Sequence, residues 1–217
     1  MAESSPQTEV ATPLSRLVFR VLLPVTAVLV IVLGIAYTSD VPVTDLLHDP
    51  SATLDGAWYV GLVSIMGVAL WAAAAAICLL SLYATDSEGE RHLLIAGAAI
   101  SIILGADDAF LLHEAVEGAL GIPSLVTIGV YTVISILLVW RSWAYVRTRP
   151  DLSVFLVAIG LFAISVGLDV ADEANLQTPP YSAVIEDAAK FLGLVAWVTF
   201  FAGVGRDLIR DRRSFLR

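Results

Sequence analysis

Three short stretches of this chain concentrate the side chains that could do chemistry. Asp107-Asp108 is followed by His113-Glu114 and Glu117. Asp169 is followed by Asp172 and Glu173. Glu186-Asp187 is followed by Lys190. Carboxylates bind cations and exchange protons, imidazole does either near neutral pH, and a lysine supplies a positive charge that biases its neighbours. The pattern therefore points to an ion- or proton-binding set of Asp107, Asp108, Asp169, Asp172, Glu173, Glu186, Asp187 and Lys190. A metal reading of the same region takes His113, Glu114, Asp107, Asp169 and Glu186 as ligands. The donors are mostly oxygen, which suits Mg²⁺, Ca²⁺ or Mn²⁺ better than Zn²⁺. A zinc enzyme normally has more than one His or Cys, and a di-iron carboxylate bundle carries two Glu-x-x-His motifs. Neither pattern is present here, although His48 is a second imidazole that could join from a loop.

The surrounding sequence sets the solvent for these groups. The 217 residues are 58% hydrophobic and only 15% charged, against roughly 25% charged in soluble domains. The mean hydropathy is +0.85. Long apolar runs recur from Leu17 onward, so the solvent is a lipid bilayer. We expect an all-α, polytopic bundle of six transmembrane spans: residues 16–37, 57–83, 92–117, 124–145, 152–176 and 182–204. Gly118, Gly121 and Pro123 place the end of the third span, Pro150 the turn after the fourth, and Pro179-Pro180 the end of the fifth. Residues 1–14 read as a disordered polar tail, 15–205 as the bundle and 206–217 as a basic tail. The first span reads as a retained anchor rather than a signal peptide, because the tail before it is acidic and the run is long enough to cross.

Arginine gives the orientation. Arg16 and Arg20 precede the first span, Arg91 lies between the second and third, and Arg141, Arg147 and Arg149 lie between the fourth and fifth. Arg206, Arg210, Arg212, Arg213 and Arg217 follow the last. Six spans put all of them on one side, which the positive-inside rule makes cytoplasmic together with both termini. We expect a multi-pass protein of the cell membrane. The net charge of −9 argues against a nucleic-acid partner. A homo-oligomer or a second membrane protein stays open as a partner. Cys78 is alone, so no internal disulfide forms.

Span direction and a rise of about 1.5 Å per residue place all three polar stretches in the outer half of the bilayer. Asp107, Asp108, Asp169 and Lys190 form a deeper tier; His113, Glu114, Asp172, Glu173, Glu186 and Asp187 form a shallower one. Asp169, Asp172 and Glu173 share a helix face with Ser165 below them, and Glu186 and Asp187 lie one turn before Lys190. Asp108 sits about 100° from Asp107 and should face a different neighbour, from the second or fourth span. Lys190 is expected to pair with Asp187, Glu186 or Asp169. A single acid at mid-membrane costs about 2.5–3.5 kcal/mol on insertion scales, so the polar stripes should face the bundle interior. There the surplus of carboxylates must be protonated, bound to cations or bathed by water.

The motif set Asp107-Asp108-x4-His113-Glu114, Asp169-x2-Asp172-Glu173 and Glu186-Asp187-x2-Lys190 resembles that of uncharacterised bacterial and archaeal multipass proteins over residues 90–205. The resemblance implies a six-span fold and brings no assigned activity. The string from Glu186 to Lys190, with Gly193 after it, also resembles the last helix of microbial rhodopsins, where such a lysine carries retinal. Those proteins have seven spans, and their acid-bearing third helix would fall on the acid-free second span here.

Three functional classes are compatible with this pattern. The first is a protein that binds cations or handles protons at an outward-side carboxylate, His and Lys site. The second is a small metal-dependent membrane enzyme acting on a lipid-soluble or extracytoplasmic substrate. The third is a structural or assembly subunit whose polar cluster meets a partner span. A retinal-type chromophore protein through Lys190 is a remote fourth.

Overall fold

The computed structural model describes residues 61–174, 176, 179 and 181–215, with side chains to Asp211, and seven isolated helical positions between Leu23 and Thr38. The remainder of the expected first span, residues 39–56 of the following loop with His48, the two terminal tails' remaining residues and residues 57–60 of the expected second span lie outside the described residues. The chain divides into two units, residues 1–60 and 61–217. The second unit holds all three polar stretches.

That unit contains α1 (Leu62–Ser81), α2 (Glu88–Phe110), α3 (Leu112–Leu120), α4 (Ser124–Val146), α5 (Leu152–Glu173) and α6 (Ser182–Phe215), with no strand among the described residues. All but α3 are long and apolar enough to cross a membrane. Five spanning helices are thus described. They account for the expected second to sixth spans. The basic tail begins as a continuation of α6, which runs unbroken to Phe215.

Two boundaries differ from expectation for physical reasons. The third span starts at Glu88 rather than residue 92, since Glu88 and Glu90 in the first turn complement the helix dipole. It also does not continue to residue 117. It breaks at Leu111, which adopts the left-handed conformation with φ 49° and ψ 48°, and α3 restarts beyond it. Nothing in the Gly and Pro pattern marks this break, because it is made by a leucine and held by bonds to Asp107.

Helix faces follow from spacing. The inward face of α1 carries Gly67, Trp71, Ala74, Ala75, Cys78 and Ser81, the three-and-four rhythm of a single helical stripe. On α6 the stripe is Leu194, Trp197, Phe201, Val204 and Leu208, all buried. On α5 it is Phe155, Ala158 and Ser165, with Phe162 packed against the same core. α6 packs extensively on α5 and α1, α1 on α2, and α2 on α4, whereas α4 meets α5 only sparsely.

Aromatic rings fill the centre. Trp71 stacks on Phe162 at 5.5 Å, Phe162 meets Trp197 edge-on at 6.0 Å, and Trp197 meets Phe201 at 4.9 Å. The Trp197 indole donates to Ser101 Oγ at 3.0 Å, so its one polar atom is satisfied. In lipid the helices gain little from hydrophobic burial, and close packing and interhelical bonds hold them instead. Gly97 and Gly105 permit that packing. A Cβ at Gly97 would fall 2.3 Å from the Phe201 ring, and one at Gly105 would fall 2.7 Å from Trp71 Cβ.

One end of the bundle gathers arginines. Arg149 bridges Asp151 at 3.0 Å and Asp207 at 2.7 Å, which ties the α4–α5 turn to α6. Tyr145 donates to Glu90 at 3.0 Å, and Glu90 also accepts from Thr85. Arg141 lies 3.3 Å from His92. Burial works against the charged Arg149 guanidinium, yet its bonds to Asp207, Asp151 and Tyr145 hold its pKa above the ordinary arginine value. The guanidinium therefore stays charged throughout the accessible pH range.

Candidate functional site: two ion pairs on adjacent positions of one helix

The opposite end carries the polar stretches, and the inward stripes of the core lead into them. On α5 the rhythm Phe155, Ala158, Phe162, Ser165 arrives next at Asp169. On α6, Lys190 and Glu186 continue the line of Trp197 and Leu194 outward. On α2, neighbours Asp107 and Asp108 diverge by about 100° and serve different partners.

Asp108 faces α1 and α6. Its Oδ2 accepts from Trp71 Nε1 at 2.8 Å, and its Oδ1 lies 2.7 Å from Lys190 Nζ. Each carboxylate oxygen thus has a donor, and an ionised donor makes such bonds shorter and stronger. The expectation that Asp108 turns to a neighbour other than that of Asp107 is met by the second span. The expected partner of Lys190 is corrected: it is Asp108, not Asp187, Glu186 or Asp169. Asp108 projects from α2 to within 2.7 Å of the ammonium, while Glu186 and Asp187, one turn away on the lysine's own helix, stay within electrostatic reach of it without a direct bond.

Asp107 is buried and faces the start of α3. Its Oδ2 meets His113 Nδ1 at 2.8 Å, and its Oδ1 accepts the backbone N–H of His113 at 2.9 Å. Its carbonyl accepts the N–H of Leu111 at 2.7 Å. One aspartate thus closes the last turn of α2 with its carbonyl and holds the far side of the helix break through two side-chain bonds. The arrangement fixes the imidazole. The tautomer protonated at Nδ1 is the one that donates to an ionised Asp107 carboxylate, and it turns Nε2 away from that bond. The nearest carboxylate on that side is Glu114, with Oε1 at 4.0 Å. Tyr131 of α4 lies within electrostatic reach of Asp107.

Asp169 and Glu186 complete the interior. Asp169 lies within electrostatic reach of His113, Lys190, Asp107 and Asp172. Glu186 lies within reach of Asp169, Asp187, Lys190 and Asp172. Both are half-buried. Asp172, Glu173, Asp187 and Glu114 are exposed at the mouth. The surplus of negative charge deduced from sequence is therefore smaller inside the bundle than a count of acids suggests, because those four lie on its exposed surface. Two carboxylates, Asp169 and Glu186, carry what remains.

Below this level the aromatic layer of Trp71, Phe162 and Trp197 forms a floor. Among the described residues of this unit, no ionisable side chain other than Cys78 occupies the apolar stretches between that floor and the arginine end.

The chain matches the sequence family described as "Domain of unknown function (DUF8692)" over residues 22–204. It belongs to that family. The matched region takes in every residue of the site, and it stops short of the arginine-rich extension of α6. No curated protein and no solved structure shows significant similarity to the chain. The geometry of the site is therefore the guide to what this DUF8692 protein does.

The metal set is the part of the expected site that is not brought together. Among the described residues, no group of three or more His, Cys, Asp and Glu side chains is placed to hold a metal ion. Asp107 and His113 are turned toward each other, and Glu114 projects outward with 63% of its side chain exposed. Asp169 and Glu186 stand on other helices without a shared centre. Two residues of this DUF8692 site are absent from the expected set. Trp71 lies in the alanine-rich second span and Tyr131 in the acid-free fourth. Their signal in the sequence is a polar-tipped aromatic away from a span end, where interface anchoring does not explain it.

Proposed function

We propose that this chain is a proton-handling protein of the cell membrane, with its site in the outer half of the bilayer and its arginine end in the cytoplasm. Asp107 is the orienting residue, His113 Nε2 is the exchanging atom, and Asp169 and Glu186 are the half-buried carboxylates that share protons with it through water at the mouth. Lys190, held by Asp108, is a fixed positive charge beside them. The observation that carries this reading is the double acceptance by Asp107 of both the Nδ1 and the backbone N–H of His113. That geometry engages one ring nitrogen and leaves the second without a hydrogen bond among the described residues.

Supporting it is the way the pairs divide. Asp108 and Lys190 neutralise each other, and Asp107 is committed to His113. Asp169 and Glu186 lie within electrostatic reach of Lys190, whose direct ion pair is with Asp108, and proton exchange is a chemistry open to such half-buried carboxylates. The aromatic floor argues for a site that communicates with one side.

Difference infrared spectroscopy on the reconstituted protein tests the reading. A pH step should give a carboxylic C=O band that is reduced in Asp169→Asn and lost when Glu186→Gln is added. A pH step that leaves the band unchanged in both variants would contradict it.

A further inference from the structure

The short helix α3 is unusual in how little holds it. It has nine residues and none of them is buried. An isolated helix this short does not persist in water. Its left-handed entry residue Leu111 is a half-exposed leucine, and a non-glycine residue in that conformation costs about 1–2 kcal/mol. Besides its packing on α4, two carboxylates fasten it. At the start, Asp107 accepts the His113 N–H and Nδ1. At the end, Glu117 Oε2 accepts from the Ser124 backbone N–H at 3.3 Å and from the Ser124 hydroxyl. Ser124 is buried at the first turn of α4. Glu117 sits in the last turn of α3, where the helix dipole disfavours a negative charge, so Ser124 is what favours it there.

Both fastenings use carboxylate oxygens as acceptors. A proton on either carboxyl removes the charge that strengthens these bonds, and on Asp107, both of whose oxygens are engaged, it also turns one acceptor into a donor. We propose that α3 is a proton-latched strap: Asp107 and Glu117 hold it closed while ionised, and protonation releases it about Leu111, carrying His113 out of the site. The strap is thus the moving part that the outer site controls. Asp107 is faced by His113 on α3, Tyr131 on α4 and Asp169 on α5, and Glu117 by Ser124 on α4. Asp108, next to Asp107 on α2, is taken up by Lys190 of α6 and Trp71 of α1, Glu114 lies 4.0 Å from His113, and Asp172 and Glu186 interact with Asp169 rather than with either latch. The strap depends on the proton-handling reading for its trigger alone.

Hydrogen exchange of the full chain in lipid nanodiscs reads the strap directly, without measuring proton uptake, so either proposal can fail while the other stands. Exchange of residues 112–120 is compared with that of α4 in the same sample. Asp107→Asn and Glu117→Gln should each speed α3 exchange about tenfold while α4 is unchanged. In the wild type, acidification should speed α3 beyond the intrinsic change, and the double variant should not respond. Glu117 is exposed and outside the Asp107–His113 pair, so its variant keeps the test decisive should Asp107→Asn fail to fold. Exchange within about twofold of wild type in Glu117→Gln, or equal acceleration of α4, would overturn the proposal.

Discussion

Lys190 Nζ lies 2.7 Å from one oxygen of Asp108 while the Trp71 indole donates to the other. The carboxylate thereby links α1, α2 and α6 at a single point in the bilayer. Removing one charge of such a pair strands the other, whereas removing both does not.

Asp108→Asn and Lys190→Met should therefore each lower stability, by about 1–3 kcal/mol given the partial exposure of the lysine. The double variant should lose less than the sum of the two. A double-mutant cycle on thermal unfolding in detergent measures the coupling. Strict additivity would show that the contact contributes nothing.

Leu111→Gly should raise stability by about 1 kcal/mol, because glycine adopts φ near 50° without the Cβ clash and the leucine side chain packs little. The unfolding midpoint reports it. A fall in the midpoint would mean that the leucine side chain holds the break in a way its exposure does not reveal.

Gly105→Ala should destabilise by about 1–3 kcal/mol, since the new methyl would press on Trp71 Cβ. It should also shift Trp71 fluorescence, as the indole is displaced from Asp108. Gly129→Ala is the control, for its Cβ would meet nothing within 4 Å.

At the other end, Arg149→Met should cost about 3 kcal/mol, because it leaves Asp151 and Asp207 facing each other without their shared cation. Adding Asp207→Asn should restore part of the loss. The unfolding midpoints of the single and double variants decide the point.

The legible part of this protein was the part written in periodicity. The apolar runs, the common depth of three polar stretches and the stripe that leads from Phe155 to Asp169 are consequences of a rise of about 1.5 Å per residue and roughly 3.6 residues per turn. The divergence of Asp107 from Asp108 has the same origin. What periodicity could not reach was partner choice across helices. Asp108, Asp169, Glu186 and Asp187 are equivalent partners for Lys190 until the helices are placed. The break at Leu111 was hidden for another reason. Sequence rules look for glycine or proline, and here a leucine takes the left-handed conformation with Asp107 making two bonds across it. The metal reading assumed that acids at one depth share a centre. Helix rotation instead sends Asp107 to His113, Asp108 to Lys190 and Glu114 outward.

The polarity of the Asp107–His113 pair decides whether His113 is the exchanging group, and histidine-selective ¹⁵N NMR measures it. The chain has three histidines, so His113→Gln assigns the signal. Nδ1 of His113 should stay protonated at every pH while Nε2 gains its proton on acidification. A bare Nδ1 with a permanent proton on Nε2, or a His113 signal that does not respond to pH, would contradict a proton-handling site built on this pair.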